Sequence, residues 1–347
     1  MDQHDIVVVG SSAGGIPALI SLVRGLPEDY AASVFIVQHV SPNAESILPR
    51  ILSYSGKLPA AHPRDGEKIK AGHIYVAPPD YHLLVEKEHI LVKRGPKENL
   101  FRPSVDALFR SAGYMYGPRV VGVVLSGYLN DGTSGLWTVK RLGGVAIVQD
   151  PKESLYRDMP ANVLEYVKVD HTMKVSEMGP LLATLYGEKP PPMPEVTAED
   201  MERIQAEVVI AAQGNAYEMG VLQMGEVVPI SCPECHGALI RIEEGTVVRF
   251  RCHTGHAFSA DALLESISSA IEEELWKAIS RIEETNILLN RLGNHFADTG
   301  QGRLAEFYLK KAGEAARKAH AVHEAIYRYQ MSPVETLVMK KKGIPKA

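Results

Sequence analysis

The chain has 347 residues, 45% of them apolar, with 37 basic against 42 acidic side chains. That length suits about two domains with a sizeable core, and the near balance of charge argues against a polyanion-binding protein, so no nucleic-acid partner is expected. The opening MDQHDIVVVG sets acidic residues ahead of a short apolar run, unlike a secretory or transit leader, and no stretch of about 18 apolar residues reads as a membrane span; a cytoplasmic protein without membrane insertion is expected.

From residue 5 to about 187, β-branched runs alternate with helical spacing of apolar residues. DIVVVG is followed by GGIPALISLVRGL, SVFIVQH by ESILPRILS, HIYVAP later by SVDALFRSAGY, VVGVVLSG by GTSGLWTVKRLG, and GVAIVQD closes the series. This pattern predicts an α/β fold with a doubly wound sheet covered on both faces. YHLLVEKEHILVKRG alternates with period two around a polar middle and reads as a β-hairpin, so the sheet is expected to be mostly parallel.

Pro190, Pro191, Pro192 and Pro194 then break both helix and ladder bonding and mark a boundary. The expected order is an α/β domain over 1–187, a Pro-rich linker and extended segment over 188–230, a compact cysteine-containing unit over 231–258, a helical hairpin over 259–330 and a basic tail over 331–347. Behind a spacer of this kind the C-terminal module is expected to melt without the N-terminal α/β domain. Leu264, Ile267, Ile271, Leu275, Ala278, Ile282, Thr285, Leu289, Leu292 and Phe296 recur at steps of three and four. Leu304, Tyr308, Ala312, Ala315, Ala319, Val322, Ile326 and Tyr329 do the same after ADTGQG. Two long antiparallel helices burying one stripe on the other is the economical reading, and self-association through the hairpin is the other use of such stripes.

The chemistry concentrates at the ends of the strands. Gly10, Ser12 and Gly14 fit G-x-S-x-G between a strand and a helix, the context of a nucleophile elbow. The unpaired N–H groups at the start of that helix favour a developing oxyanion, and by themselves would equally cradle a phosphate. Neither G-x-G-x-x-G nor a Walker-type lysine is present, which tilts the motif away from nucleotide binding. Ser11 is the neighbouring alternative, but Ser12 holds the central position. His39 follows SVFIVQ, and Asp131 lies in YLNDG just after VVGVVLSG. Strand ends of an open α/β sheet share one crevice, so a serine, a histidine and an aspartate converge at one rim. Taken singly, His39 also fits a packing residue and Asp131 a turn or helix cap.

At this point the residues resemble a known family, the catalytic domain of chemotaxis CheB-type protein-glutamate methylesterases. The blocks VVGSSAGG, VQHVSP, GHIYVAPPDYHL, FRPSVDALFRS and VVGVVLSGYLNDGTSGL stand in the family's order over roughly residues 5–187. The resemblance implies Ser12 as nucleophile, His39 as general base and Asp131 as the residue orienting the imidazole, with backbone N–H groups of Tyr128 and Ala13 as oxyanion donors. It implies hydrolysis of glutamyl methyl esters, and deamidation of glutamines by the same route, on methylated chemoreceptor-like proteins, with no cofactor for catalysis. Two departures stand out. Tyr128 and Leu129 replace the family's usual methionine and glycine before NDG, and familiar members carry a phosphorylatable receiver domain ahead of the first catalytic strand, where this sequence starts.

Cys232, Cys235, Cys252 and His256 form C-x2-C, sixteen intervening residues and C-x3-H. The strand-like ALIRIEEGTVVRFR between the two pairs would bring them together as tetrahedral ligands, which predicts one structural zinc. His236 and His253 are alternatives for the fourth ligand. Similar tails occur in stand-alone relatives of the esterase. Two other functions stay open on sequence grounds: a scaffold working through the ribbon and hairpin, and a serine hydrolase of small esters.

Overall fold

The computed structural model of the chain describes residues 3–331, and the chain divides into two compact units between Leu264 and Glu265. The expected basic tail, beyond Met331, and the side chain of Tyr329 lie outside the described residues.

The first unit begins with β1 (Ile6–Ser11), α1 (Gly15–Arg24), β2 (Ser33–Gln38), α2 (Leu48–Ser55), β3 (Ala60–Ala61), β4 (Glu67–Lys68), β5 (Ile74–Val76), β6 (His82–Glu86) and β7 (His89–Lys93). It continues with α3 (Val105–Tyr116), β8 (Val120–Val124), α4 (Thr133–Arg141), β9 (Val145–Gln149), α5 (Asp158–Tyr166), β10 (His171–Met173) and α6 (Val175–Tyr186). Seven strands form one sheet in the order β10-β9-β8-β1-β2-β5-β3, and every pairing in it is parallel. All six residues of β1 and of β2 are buried, as two covered faces require, which explains why their sequences show continuous apolar runs rather than alternation. On one face Ala18, Leu19, Leu22 and Val23 of α1 pack with α2 and α6, because their spacing puts them on one helical stripe. On the other, Leu108, Phe109 and Ala112 of α3 pack with α4 and α5.

The hairpin read from period-two alternation is β6 and β7, but it belongs to a separate three-stranded sheet with β4. The main sheet is therefore parallel throughout. Strand order reverses beside β1: the chain moves from β1 to β2 on one side and returns to β8 on the other. The crevice at the carboxyl ends of β1, β2 and β8 is the switch point of the fold, where an α/β sheet presents its site.

Residues within the expected extended segment instead form α7 (Ala198–Gln213), capped by Thr197 Oγ1 accepting from the Asp200 N–H at 3.2 Å. It is followed by the four-stranded antiparallel ribbon β11 (Glu226–Ser231), β12 (Ala238–Glu244), β13 (Val247–Cys252) and β14 (Ala257–Ser259). Ile210 of α7 shares a small core with Ile240 and Ile242 of the ribbon, while Ala211 packs with Leu84 and Ala107 of the catalytic region. Three arginines and three glutamates then join these pieces, each 2% exposed or less. Arg110 pairs with Glu98 at 3.0 Å and Glu207 at 2.8 Å, Arg249 with Glu207 at 2.7 Å and with Glu244, and Arg251 with Glu98 at 2.7 Å. The proline run thus does not set the ribbon apart from the catalytic region, because a buried charge left without its partner costs about 3–5 kcal/mol.

The second unit consists of the greater part of α8 (Ala260–Asp298) and α9 (Gly302–Met331), an antiparallel hairpin. Phe296 stacks on Tyr308 at 5.3 Å and Trp276 meets His323 edge-on at 5.7 Å. Ala312, Ala315, Ala319 and Ile326 are buried as the stripe predicted. On α8 the register differs in its first half: Ile279 is buried where Ala278 was expected, and Ile271 is 41% exposed.

Candidate active site

β1 delivers Ser12 and β2 delivers His39 to the switch point, and the loop after β8 brings Asp131. The turn after β1 needs its glycines. Gly14 sits at φ 70, where a side chain is strained, and a Cβ on Gly15 would come within 2.3 Å of Gln38 Oε1. Gln38 in turn braces the turn, accepting from Ser11 Oγ at 2.8 Å and donating to Ser12 O at 2.8 Å. Ser11 is thereby committed to structure and is fully buried.

Ser12 Oγ lies 3.1 Å from His39 Nδ1, and His39 Nε2 lies 2.8 Å from Asp131 Oδ2. Reversing the imidazole would turn carbon toward both partners, so the ring orientation follows from the two bonds together. The His39 and Asp131 side chains are 4% and 1% exposed, and Phe101 stacks on the imidazole with 3.7 Å between ring centres. Asp131 Oδ2 also accepts the Val105 N–H at 2.7 Å, while Oδ1 accepts from Asp106 N–H, Ser104 Oγ and Asn99 Nδ2 at 3.1, 3.0 and 2.9 Å. Burial pushes this carboxyl upward, but the bond and charge of His39 and the donors from Asn99 and Val105 outweigh it, and Asp131 is held below the usual carboxylate range.

Two helix starts cap one another across this site. Asp131, just ahead of α4, takes the first N–H groups of α3, and Asp106, in the first turn of α3, accepts from Gly132 and Gly135 N–H at the start of α4 at 3.0 and 2.6 Å. Burial first, then the neighbouring Asp131 charge, push the Asp106 carboxyl up to about 7.

Ser126 closes the floor. It accepts the Ser12 N–H on its carbonyl at 2.9 Å, donates its hydroxyl to Ala13 O at 2.9 Å, and receives Tyr156 N–H at 2.9 Å. Tyr128 is 53% exposed, with its ring against Tyr156, and Leu129 is held at φ 60, a left-handed position that glycine occupies without strain. Among the described residues no acceptor stands against the N–H of Ala13 or Tyr128.

Cys232, Cys235, Cys252 and His256 also come together, with all four ligand atoms within 4.8 Å of one another. Cys235 and Cys252 sulfurs are 3.6 Å apart, and His256 Nδ1 is 3.7 and 3.6 Å from Cys232 and Cys252. Those are close to the edges, about 3.8 Å, of a tetrahedron with metal–sulfur bonds of about 2.3 Å. The four could hold a metal ion. Thr254 Oγ1, at 3.1 Å from Cys235 and 3.0 Å from Cys252, is a hydroxyl neighbour of the thiols. His236 and His253 are not in the cluster, and His253 instead packs over Gly237, where a Cβ would meet it at 2.1 Å.

Sequence reasoning passed over Asn99, Ser104, Asp106, Gln38 and Ser126. Asp106 had a signal, an acidic residue in the first turn of a helix after Ser104; Asn99 in KENLF had none.

The model of the CheB methylesterase family matches residues 7–182. A Leptospira interrogans relative is 36% identical over 184 residues, covering 53% of this chain and 95% of its own length. The protein-glutamate methylesterase/protein-glutamine glutaminase 2 of Caulobacter vibrioides is 37% identical over 185 residues, 52% of this chain and 53% of that protein. Among solved structures, the CheB methylesterase catalytic domain of Thermotoga maritima is similar with a TM-score of 0.51 and 31% identity, over 52% of this chain and 98% of that one.

Proposed function

The chain belongs to the CheB methylesterase family, and from that premise we propose that it hydrolyses glutamyl γ-methyl esters of chemoreceptor-like proteins with Ser12 as nucleophile. The observation that carries the reading is the unbroken hydrogen-bonded path from Ser12 through His39 to Asp131.

In this mechanism His39 Nδ1 takes the Ser12 proton as Oγ attacks the ester carbonyl. The Nε2–H donated to Asp131 selects the tautomer that leaves Nδ1 free, and the ionised carboxylate stabilises the imidazolium that forms. N–H groups of Tyr128 and Ala13, with no internal acceptor, are the donors for the tetrahedral oxyanion. The proton on His39 passes to the departing methoxide and methanol leaves. Water, deprotonated by His39, then cleaves the acyl-enzyme to the glutamate side chain and restores Ser12. Glutamine follows the same course with ammonia leaving. We assign the four-ligand cluster to one zinc ion with a structural role, since four protein ligands close a tetrahedral sphere; elemental analysis of the purified chain should find one zinc per molecule.

The test is release of methanol from receptor membranes methylated beforehand. Wild type should release it, Ser12→Ala should not, and an active Ser12→Ala beside an inactive Ser11→Ala would refute the assignment.

A further inference from the structure

Asp131 and His39 share one short support, residues 97–101, and that loop is gripped by the ribbon. Asn99 is 3% exposed. Its Nδ2 donates to Asp131 Oδ1 at 2.9 Å and to Asp106 Oδ2 at 2.7 Å, and its Oδ1 accepts the N–H of Ser259 in β14 at 2.8 Å. On the backbone, Asn99 N–H donates to Ala257 O at 2.8 Å and Ala257 N–H donates to Lys97 O at 3.2 Å, so residues 97–99 run as an added edge beside β14. Glu98 is held at the same place by Arg251 of the ribbon at 2.7 Å. Three residues after Glu98, Phe101 stacks on His39. A second tie runs beside the first: Ser259 Oγ donates to Asn130, the residue before Asp131.

The direction of the Asn99 amide matters. An amide whose oxygen faces an N–H must present its NH2 to the other side, so the Ser259 N–H decides that Asn99 offers donors, not an acceptor, to two buried carboxyl groups. The loop also carries two successive left-handed non-glycine residues, Asn99 at φ 51 and Leu100 at φ 75. Such a conformation persists only where its surroundings over-determine it, and here the surroundings are β14 and Arg251.

We propose that the ribbon completes the esterase site, with Asn99, oriented by β14, acting as a positioning residue for Asp131 while the same loop seats Phe101 on His39. The proposal rests on the reading of Ser12, His39 and Asp131 as the reacting triad. Its consequence is that turnover depends on a strand outside the region matched by the family model.

The full chain is assayed on a synthetic peptide carrying a glutamate γ-methyl ester, with active sites counted by a serine-directed sulfonyl fluoride. Asn99→Gly keeps the left-handed backbone and deletes the amide; Ser259→Pro deletes the orienting N–H from the ribbon side. Both should lower kcat per labelled Ser12, Asn99→Gly by about 10- to 100-fold, with KM little changed and the downfield proton resonance on His39 Nε2 broadened or lost. A role in folding alone would lower the number of labelled sites and leave kcat per site and the resonance as in wild type, and that result in either variant overturns the proposal. If Asn99→Gly does not fold, Asn99→Asp, of the same size and tolerant of positive φ, decides the point by the same readings. Full turnover by Ser12→Ala sinks the triad reading instead, so the two failures are distinct.

Discussion

Ser12 is 8% exposed and makes one side-chain bond, to His39, so its alanine variant removes the hydroxyl with little loss of packing. Its turnover should fall by several orders of magnitude at an unchanged melting temperature; calorimetry beside a methanol assay checks both halves. Asp131 is a different case. All five groups around its carboxylate donate, two to Oδ2 and three to Oδ1, so an asparagine must turn its own NH2 against at least two of them. Asp131→Asn should lose activity by roughly 10⁴-fold and also destabilise the fold by about 1–3 kcal/mol, and an active, equally stable variant would return Asp131 to the status of a turn residue. The sign with pH follows from the lowered carboxyl: the stability it contributes is present above the unfolded value of about 3.9 and is lost as pH falls through the folded one.

Among the elements, α3 and α4 show what sequence can and cannot reveal. The strand-to-helix turn with Ser12, and the strand ends carrying His39 and Asp131, were legible because each is a local pattern at a place the fold makes common. The exchange of caps between Asp106 and Asp131 was not, because neither residue's own neighbours reveal which helix it serves. Asp106 provides a test. Its carboxyl is raised to about 7, so between about 3.9 and that value the native state keeps a proton that the unfolded chain has released. Stability should therefore fall as pH rises across this window, and Asp106→Asn should flatten that slope in thermal melts; parallel curves for the two proteins would show that Asp106 is ionised throughout. On α8 a three-four pattern runs equally through Ala278 or Ile279, and the choice of Ile279 as the buried residue is made by packing that the local spacing does not reveal.

For the whole molecule, the fold class was readable from the alternation of runs, while the attachment of the ribbon was hidden. Proline residues announce a break in hydrogen bonding, but the residues that bridge it pair over long distances, as Glu98 does with Arg251 across 153 positions. Separate melting of the C-terminal module therefore gives way to a coupled expectation. Chelation of the proposed zinc should release β14, leave Glu98 and Glu207 short of their ribbon partners Arg251 and Arg249, and lower turnover of small esters along with ribbon structure. Retained small-ester turnover with a melted ribbon, followed by circular dichroism, would restore the picture of two independent parts.

Everything proposed for the site depends on glutamyl ester cleavage passing through Ser12. The most direct test is a rapid quench of wild-type protein turning over a glutamate γ-methyl ester peptide, with the acyl-enzyme located by peptide mass mapping. A transient adduct should form on Ser12, decay as the free glutamate peptide appears, and be absent from Ser12→Ala. An adduct on Ser11, or continued turnover by Ser12→Ala with no adduct at all, would contradict that route.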